Sequence, residues 1–580
     1  MGNCCSDVAG GQAAVGGGGG GTNGGQSDGA NEAVDAYLKA RGDQDLYYQI
    51  ELSLSASKLR DRDMLSKSDP MAVVYLKGKD GSLKELARTE VVLNSVNPEW
   101  IRKCNIPYHF ETVQCLVFQI YDIDTQFHNV EPKLLRLEEQ QFLGEATCTL
   151  SEIVTKSNRT LTLSLVDRGD SSGSSRSQRL GQLTLYAEQS DNSKITNELV
   201  FRCTDLEAKD VFSKSDPFLI ISKLVETGTT IPVAKTEVLK NDHNPMWKPV
   251  SVKVQQVGSK DSPLSIECYD YNGNGKHVLL GKVQKSLAEL EKLHSTGMGA
   301  NLFIPGAHNL PNKVLKSQLF VDKFSETMQH TFLDYLGAGY ELNFMVAVDF
   351  TASNGNPRLP DSLHYIDPTG RPNPYQRAIM QVGEVLQYYD SDKRYPAWGF
   401  GARPFDSIVS HCFNLNGSST NCEVEGIHGI ITAYSSALHN ISLAGPTLFG
   451  PVITTAADIA NHAVANNQQK YFILLIITDG VITDLQETKD ALVKASDLPL
   501  SILIIGVGGA DFKEMEHLDA DKGGRLETSA GRVASRDLVQ FVPMRDVQND
   551  EMSVVESLLA ELPSQFLSYM RERSIYPTIT

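Results

Sequence analysis

The feature that most constrains this chain is an internal repeat. The segment Asp63-Met-Leu-Ser-Lys-Ser-Asp69-Pro70 recurs as Asp210-Val-Phe-Ser-Lys-Ser-Asp216-Pro217, an offset of 147 residues. Arg88-Thr-Glu-Val returns as Lys235-Thr-Glu-Val, and Asn97-Pro-Glu-Trp100 as Asn244-Pro-Met-Trp247, at the same offset. Tyr121-Asp122-Ile-Asp124 returns as Tyr269-Asp270-Tyr-Asn272, one residue further on. A fixed period this long means two copies of one domain rather than a solenoid of short units. Between turn residues lie short runs of β type, among them Met71–Leu76, Leu116–Tyr121, Gly181–Tyr186 and Pro217–Ser222, so each copy is predicted to be a β-sandwich.

At 580 residues there is room for a further domain. From about residue 340 the pattern changes to apolar runs alternating with helical stretches. Leu342–Val348, Phe472–Ile477 and Ile502–Val507 have the composition of strands buried on both faces. Pro374–Tyr389, Gly426–Leu438 and Phe449–Asn466 carry helical spacing, which predicts an α/β domain with a mainly parallel sheet. None of these runs approaches the ~20 apolar residues of a membrane-crossing helix.

Charge narrows the function. A formal net charge of −18 leaves no basic stripe for nucleic acid and excludes polybasic docking on a membrane. The nine cysteines include no Cys-x-x-Cys pair, so a zinc ribbon or RING is not expected, and scattered thiols suit a reducing cytosol. No basic start with a following apolar stretch predicts a secretory signal. The chain opens Met1-Gly2-Asn3-Cys4-Cys5-Ser6, which fits myristoylation at Gly2 with palmitoylation at Cys4 and Cys5. One acyl chain binds membranes only weakly, so the paired signal matters. The Gly-rich stretch that follows, over 10–30, reads as a tether.

Together the Asp-x5-Asp-Pro loop, the Asn-Pro-x-Trp turn, the Tyr-Asp-x-Asp loop and the following Leu-Gly resemble the C2 domain family. That resemblance implies calcium ligands at Asp63, Asp69, Asp122 and Asp124 in the first copy. In the second copy it implies Asp210, Asp216, Asp270 and Asn272. The chemistry agrees, because calcium takes six to eight oxygen ligands and needs carboxylates converging from two loops. Gln141 and Val278 stand where such domains usually place another Asp, and the first copy carries an insertion over 126–140. With fewer carboxylates, the second copy is expected to bind calcium more weakly. Met64, Leu65, Val211 and Phe212 follow the first Asp of each loop, and either enter the membrane interface or pack beneath the loop.

In the C-terminal region Asp349-Phe-Thr351-Ala-Ser353, with Gly445-Pro-Thr447 and Thr478-Asp479-Gly480, resembles the cation site of von Willebrand factor A domains. Asp349 alone could be a helix cap. As a set, Asp349, Thr351, Ser353, Thr447 and Asp479 offer hydroxyls and few carboxylates, which suits Mg2+ or Mn2+ and leaves a position for a partner's carboxylate.

Two all-β C2 sandwiches followed by an α/β A domain resemble a copine over residues 45–565, and the acylatable start resembles the plant, BONZAI-type branch. The expected layout is an acylated tether at 1–44, a first C2 domain at 45–168, a linker at 169–180 and a second C2 domain at 181–305. A connecting segment at 306–339, the A domain at 340–565 and a tail at 566–580 complete it. The resemblance implies calcium-dependent binding of anionic phospholipid and lipid-anchored residence at the cytosolic face of the plasma membrane. It also implies capture of protein partners by the A domain, and a role in plants restraining cell death and defence while supporting growth. A non-enzyme is expected, because no Gly-x-Ser-x-Gly, Gly-x4-Gly-Lys or His-Glu-x-x-His pattern occurs. The competing classes are an extracellular-type adhesion receptor, which would need a signal sequence, and a membrane-associated enzyme.

Overall fold

The computed structural model describes residues 48–578, apart from 61–66, 128–129, 157, 168–179, 191–193, 208–214, 226–228, 273–276, 307–310, 405–407, 520–524 and 545–550. The expected sites at Gly2, Cys4, Cys5, Asp63, Met64, Leu65, Asp210, Val211 and Phe212 lie outside the described residues.

The first sandwich comprises β1 (Tyr48–Ser57), β2 (Pro70–Lys77), β3 (Leu83–Arg88), β4 (Cys104–Tyr108), β5 (Cys115–Asp122), β6 (Gln141–Thr149), β7 (Thr160–Ser164) and β8 (Gln182–Gln189). The second comprises β9 (Ile195–Thr204), β10 (Pro217–Leu224), β11 (Thr230–Lys235), β12 (Val250–Lys253), β13 (Leu264–Asp270), β14 (Val278–Lys285), β15 (Ala300–Ile304) and β16 (Lys313–Met328). Strand order in the first is β4-β1-β8-β7 over β3-β2-β5-β6, and the second repeats it as β12-β9-β16-β15 and β11-β10-β13-β14. In the second copy β14 also pairs with β15, joining its sheets along one edge.

The repeated motifs explain themselves as stitches. Trp100 Nε1 donates to Pro70 O and Trp247 Nε1 to Pro217 O, both at 3.2 Å. The Asn97 and Asn244 side chains accept from the backbone N–H of Lys58 and Asp205. Thr89 and Thr236 hydroxyls accept from the N–H groups of Ala72 and Leu219. Burial follows the strand period: in β1, Tyr48, Ile50, Leu52, Leu54 and Ala56 face the core while Gln49, Glu51, Ser53 and Ser55 do not. β2 is buried on both faces, because Leu135 of the inserted loop covers Met71 and Val73 on the outer side. Arg88 holds that loop by donating to Pro132 O (2.9 Å) and Leu135 O (2.7 Å).

The expected domain boundaries shift. β8, placed by sequence in the second domain, pairs with β1 along its full length and closes the first sandwich. β16, expected in the connecting segment, pairs with β9 in the second sandwich. The Ser/Gly-rich stretch therefore joins the last two strands of one sandwich rather than two domains. The expected tail contributes too: helix Leu562–Glu572 buries Phe566, Tyr569 and Met570 against the A-domain core.

The A domain is doubly wound. Five parallel strands stand in the order Arg394–Phe400, Glu341–Asp349, Lys470–Thr478, Leu500–Gly506 and Val539–Pro543. Chain order is thus 2-1-3-4-5, and the switch point falls at the carboxyl end of Glu341–Asp349, where such sheets bind ligands. Helices Pro374–Leu386, Gly426–Asn440 and Gly450–Ala465 match the helical spacing in the sequence. The chain forms two compact units: Leu46–Gln189 with His330–Thr580, and, among the described residues, Ser190–Gln329.

Candidate cation sites

In each sandwich the loops after β5 and before β2, or their second-copy counterparts, bring two carboxylates together. Asp122 Oδ1 accepts from Asp69 N–H at 2.6 Å, and Asp69 Oδ1 accepts from Asn94 N–H at 2.6 Å. The second copy repeats this: Asp270 Oδ1 accepts from Asp216 N–H at 2.7 Å, and Asp216 Oδ1 from Asn241 N–H at 2.8 Å. Asp122 Oδ2 is buried with no hydrogen-bond partner among the described residues, an acceptor that a cation would satisfy.

The rims differ. Asp124 is exposed, and its N–H donates to the Gln140 side chain at 3.3 Å. Asn272 N–H donates instead to His277 Nδ1 at 3.0 Å, and His277 packs on Phe218 and Tyr271. Val278 pairs with Asp270 where Gln141 pairs with Asp122, so the substituted positions do flank the acidic pair. Sequence reasoning did not single out Gln140 or His277, whose roles depend on where the loop returns to the sheet.

At the A-domain switch point Asp349 ends one strand, and Thr478-Asp479 ends its neighbour. Asp349 Oδ1 accepts from Thr351 N–H (2.8 Å) and Oδ2 from the Thr478 hydroxyl (2.5 Å). The Thr351 and Ser353 hydroxyls lie 2.8 Å apart, and Ser353 donates to Asp479 Oδ1 at 3.0 Å. Thr447 joins from the third loop. A Cβ on Gly480 would stand 3.0 Å from Thr447 Oγ1 and 3.8 Å from both Asp349 Oδ2 and Ser353 Oγ, so glycine keeps this cradle open. All five expected A-domain residues thus converge.

Electrostatics fit a cation. Asp349 is fully buried, and burial pushes its carboxyl up to about 7, opposed by the Thr478 hydrogen bond and reinforced by the Asp479 charge. Burial also raises Asp479. Two adjacent carboxylates in a dry pocket need a compensating charge. Oxygen donors, most of them hydroxyls, suit a small hard ion.

A buried frame behind the site was not visible in the motifs. Asn354 donates to Asp479 Oδ1 (2.8 Å) and accepts from Tyr375 OH (2.6 Å). His364 Nε2 donates to Asp349 O at 2.9 Å, and its Nδ1 accepts from Tyr434 OH at 2.8 Å. Burial drives the His364 pKa down to about 3, so the ring stays neutral and holds one tautomer. Asn354 adjoins Ser353 and could have been suspected; His364, Tyr375 and Tyr434 meet only in the fold.

A C2 domain family model matches residues 51–166 and 194–302, and a copine family model matches residues 362–578. Protein BONZAI 2 of Arabidopsis thaliana is 67% identical over 587 residues, spanning 100% of this chain and 99% of that protein. Protein BONZAI 1 of the same plant is 68% identical over 578 residues, spanning 100% of both. The solved structure BON1-C2B shares 68% sequence identity and covers 24% of this chain and 94% of its own, with a TM-score of 0.23. With two C2 domains ahead of a copine domain, and two-thirds identity to BONZAI proteins along its full length, the chain belongs to the copine family of membrane-associated regulators.

Proposed function

We propose that the protein is a calcium-dependent phospholipid-binding adaptor of the cytosolic face of the plasma membrane, rather than an enzyme. The observation that supports this most is the repeated acidic pair, Asp69 with Asp122 and Asp216 with Asp270, held by the same backbone hydrogen bonds in both copies. In this proposal Asp63 and Asp124 complete the first calcium site, and Asp210 and Asn272 the second. Bound calcium neutralises the acidic rim and bridges to anionic headgroups, which otherwise repel a chain of net charge −18. Met64, Leu65, Val211 and Phe212 would enter the interface, and acyl groups on Gly2, Cys4 and Cys5 would add a constitutive anchor.

The A domain would hold Mg2+ or Mn2+ through Asp349, Thr351, Ser353, Thr447 and Asp479, and would supply a Lewis-acidic position for a partner's carboxylate. Its own side chains prepare that position: Thr351 and Thr478 orient Asp349, while Asn354 and Ser353 orient Asp479. In the plant, such an adaptor would restrain cell death and defence while supporting growth. The test is co-sedimentation of the purified chain with phosphatidylserine vesicles. Binding with calcium and its loss in chelator support the proposal, and indifference to both lipid and calcium overturns it.

A further inference from the structure

The two ends of the first sandwich do different things. Asp69 opens β2 and Asp122 closes β5, so the acidic pair marks one end. Tyr108, Phe110, Ser151, Arg159 and Gln189 all lie at the other end, and all of them touch the A domain. The Tyr108 and Tyr389 hydroxyls meet, with Ser151 Oγ 3.4 Å from Tyr389 OH. Phe110 packs edge-on against Phe332 at 5.2 Å and against Tyr389 at 5.0 Å. Arg159 donates to Leu333 O (2.9 Å) and to Asp334 Oδ1 (3.2 Å), and Thr331 donates to Gln189 Oε1 at 2.7 Å. The rings and hydroxyls are buried, and the core runs from one domain into the other.

The A-domain side of this joint is equally one-ended. Phe332 and Asp334 precede the strand Glu341–Asp349, and Tyr389 precedes Arg394–Phe400, with Tyr389 O accepting from Leu342 N–H. The joint therefore covers the amino-terminal edge of the parallel sheet, while Asp349, Thr351 and Asp479 occupy its carboxyl-terminal edge. Each candidate cation site lies a full strand away from the joint. At about 3.3 Å per residue, β2 spans ~26 Å and Glu341–Asp349 spans ~30 Å. With the two strand axes in line the sites stand about 56 Å apart, and with the axes at right angles about 40 Å.

We infer that the first C2 domain and the A domain are joined end to end, and that the cation edge of the A domain is therefore held off the bilayer, on the far side of the joint. It takes its carboxylate from a soluble protein or from a cytosolic domain standing about 26 Å or more off the membrane, the length of β2, not from a juxtamembrane segment. This rests on the proposal that the C2 loops dock on lipid. A packed aromatic core and a largely buried Arg–Asp pair make the joint a fixed strut rather than a flexible tether.

The experiment places a donor dye on the full-length chain, through an azide-bearing amino acid introduced either at Leu93 or at Leu359. Both side chains are exposed; Leu93 adjoins Asn94 beside Asp69, and Leu359 lies on the loop after Ser353. Phosphatidylserine vesicles carry a short-range acceptor on a fraction of their headgroups, and calcium is then added. The Leu93 donor is expected to lose most of its emission and the Leu359 donor to keep nearly all of it. Equal loss from both donors, with the chain sedimenting on the vesicles, overturns the end-to-end arrangement alone. No sedimentation with calcium overturns the lipid-docking proposal, and this inference with it.

Discussion

Replacing Asp349 by Asn should stabilise the protein when divalent ions are absent and destabilise it relative to wild type when they are present. The carboxyl is fully buried, and its pKa rises from 3.8 to about 7 in the folded state. A folded chain that holds this proton more tightly than the unfolded chain loses stability as pH rises between those two values. Above about 7 the whole cost is present, about 4 kcal/mol at ~1.4 kcal/mol per pH unit. Asn is neutral and nearly the same shape, and it still accepts from Thr351 N–H. It forfeits about 1 kcal/mol of charge-assisted hydrogen bonding. In EDTA at pH 8 the variant should therefore melt roughly 6 °C above wild type, and the gap should close as the pH falls towards 4. With Mg2+ at about a thousand times its dissociation constant, wild type gains about 4.1 kcal/mol and the variant gains nothing, which reverses the order of the two. The assay is thermal denaturation of the full-length chain in EDTA and in Mg2+ across this pH range. An Asn variant that is less stable in EDTA at pH 8, or a difference that ignores pH, refutes the assignment of Asp349 as an uncompensated buried carboxylate.

Further predictions follow the same geometry. Gly480→Ala puts a methyl 3.0 Å from Thr447 Oγ1, so it should abolish stabilisation by Mg2+ while costing only about 1 kcal/mol in EDTA, read by the same melts. Phe110→Ala empties a site between Phe332 and Tyr389 and should cost about 3–5 kcal/mol, with new protease cleavage between the first C2 domain and the A domain. Arg88→Ala removes both ties to the inserted loop, so hydrogen exchange over 126–140 should accelerate while the strands keep their protection.

Much of this architecture was legible because it is carried by short local patterns. Asn-Pro-x-Trp supplies the indole that stitches to Pro70 and to Pro217, and the Asp-Pro of each copy opens the strand it stitches to. Asp349-Phe-Thr351-Ala-Ser353 sits at a strand end, in a region where the alternation of apolar runs and helical stretches already predicted a mainly parallel sheet. The boundaries were less legible for a physical reason. A Ser/Gly-rich stretch has the composition of a linker whether it joins domains or two strands of one sandwich, and only the pairing of β8 with β1 tells which. Helix Leu562–Glu572 was missed because its apolar face is short, although Phe566 is completely buried. The frame of His364, Tyr375 and Tyr434 leaves no pattern, since three distant segments supply it.

The central claim is that the acidic pairs make the C2 domains calcium switches, with the first the stronger. Calcium titrations of binding to phosphatidylserine vesicles test it most directly, comparing wild type with Asp69→Asn/Asp122→Asn and with Asp216→Asn/Asp270→Asn. The account predicts that the first variant needs far more calcium for half-maximal binding and that the second moves the midpoint less. Titration curves that coincide for all three proteins would contradict it.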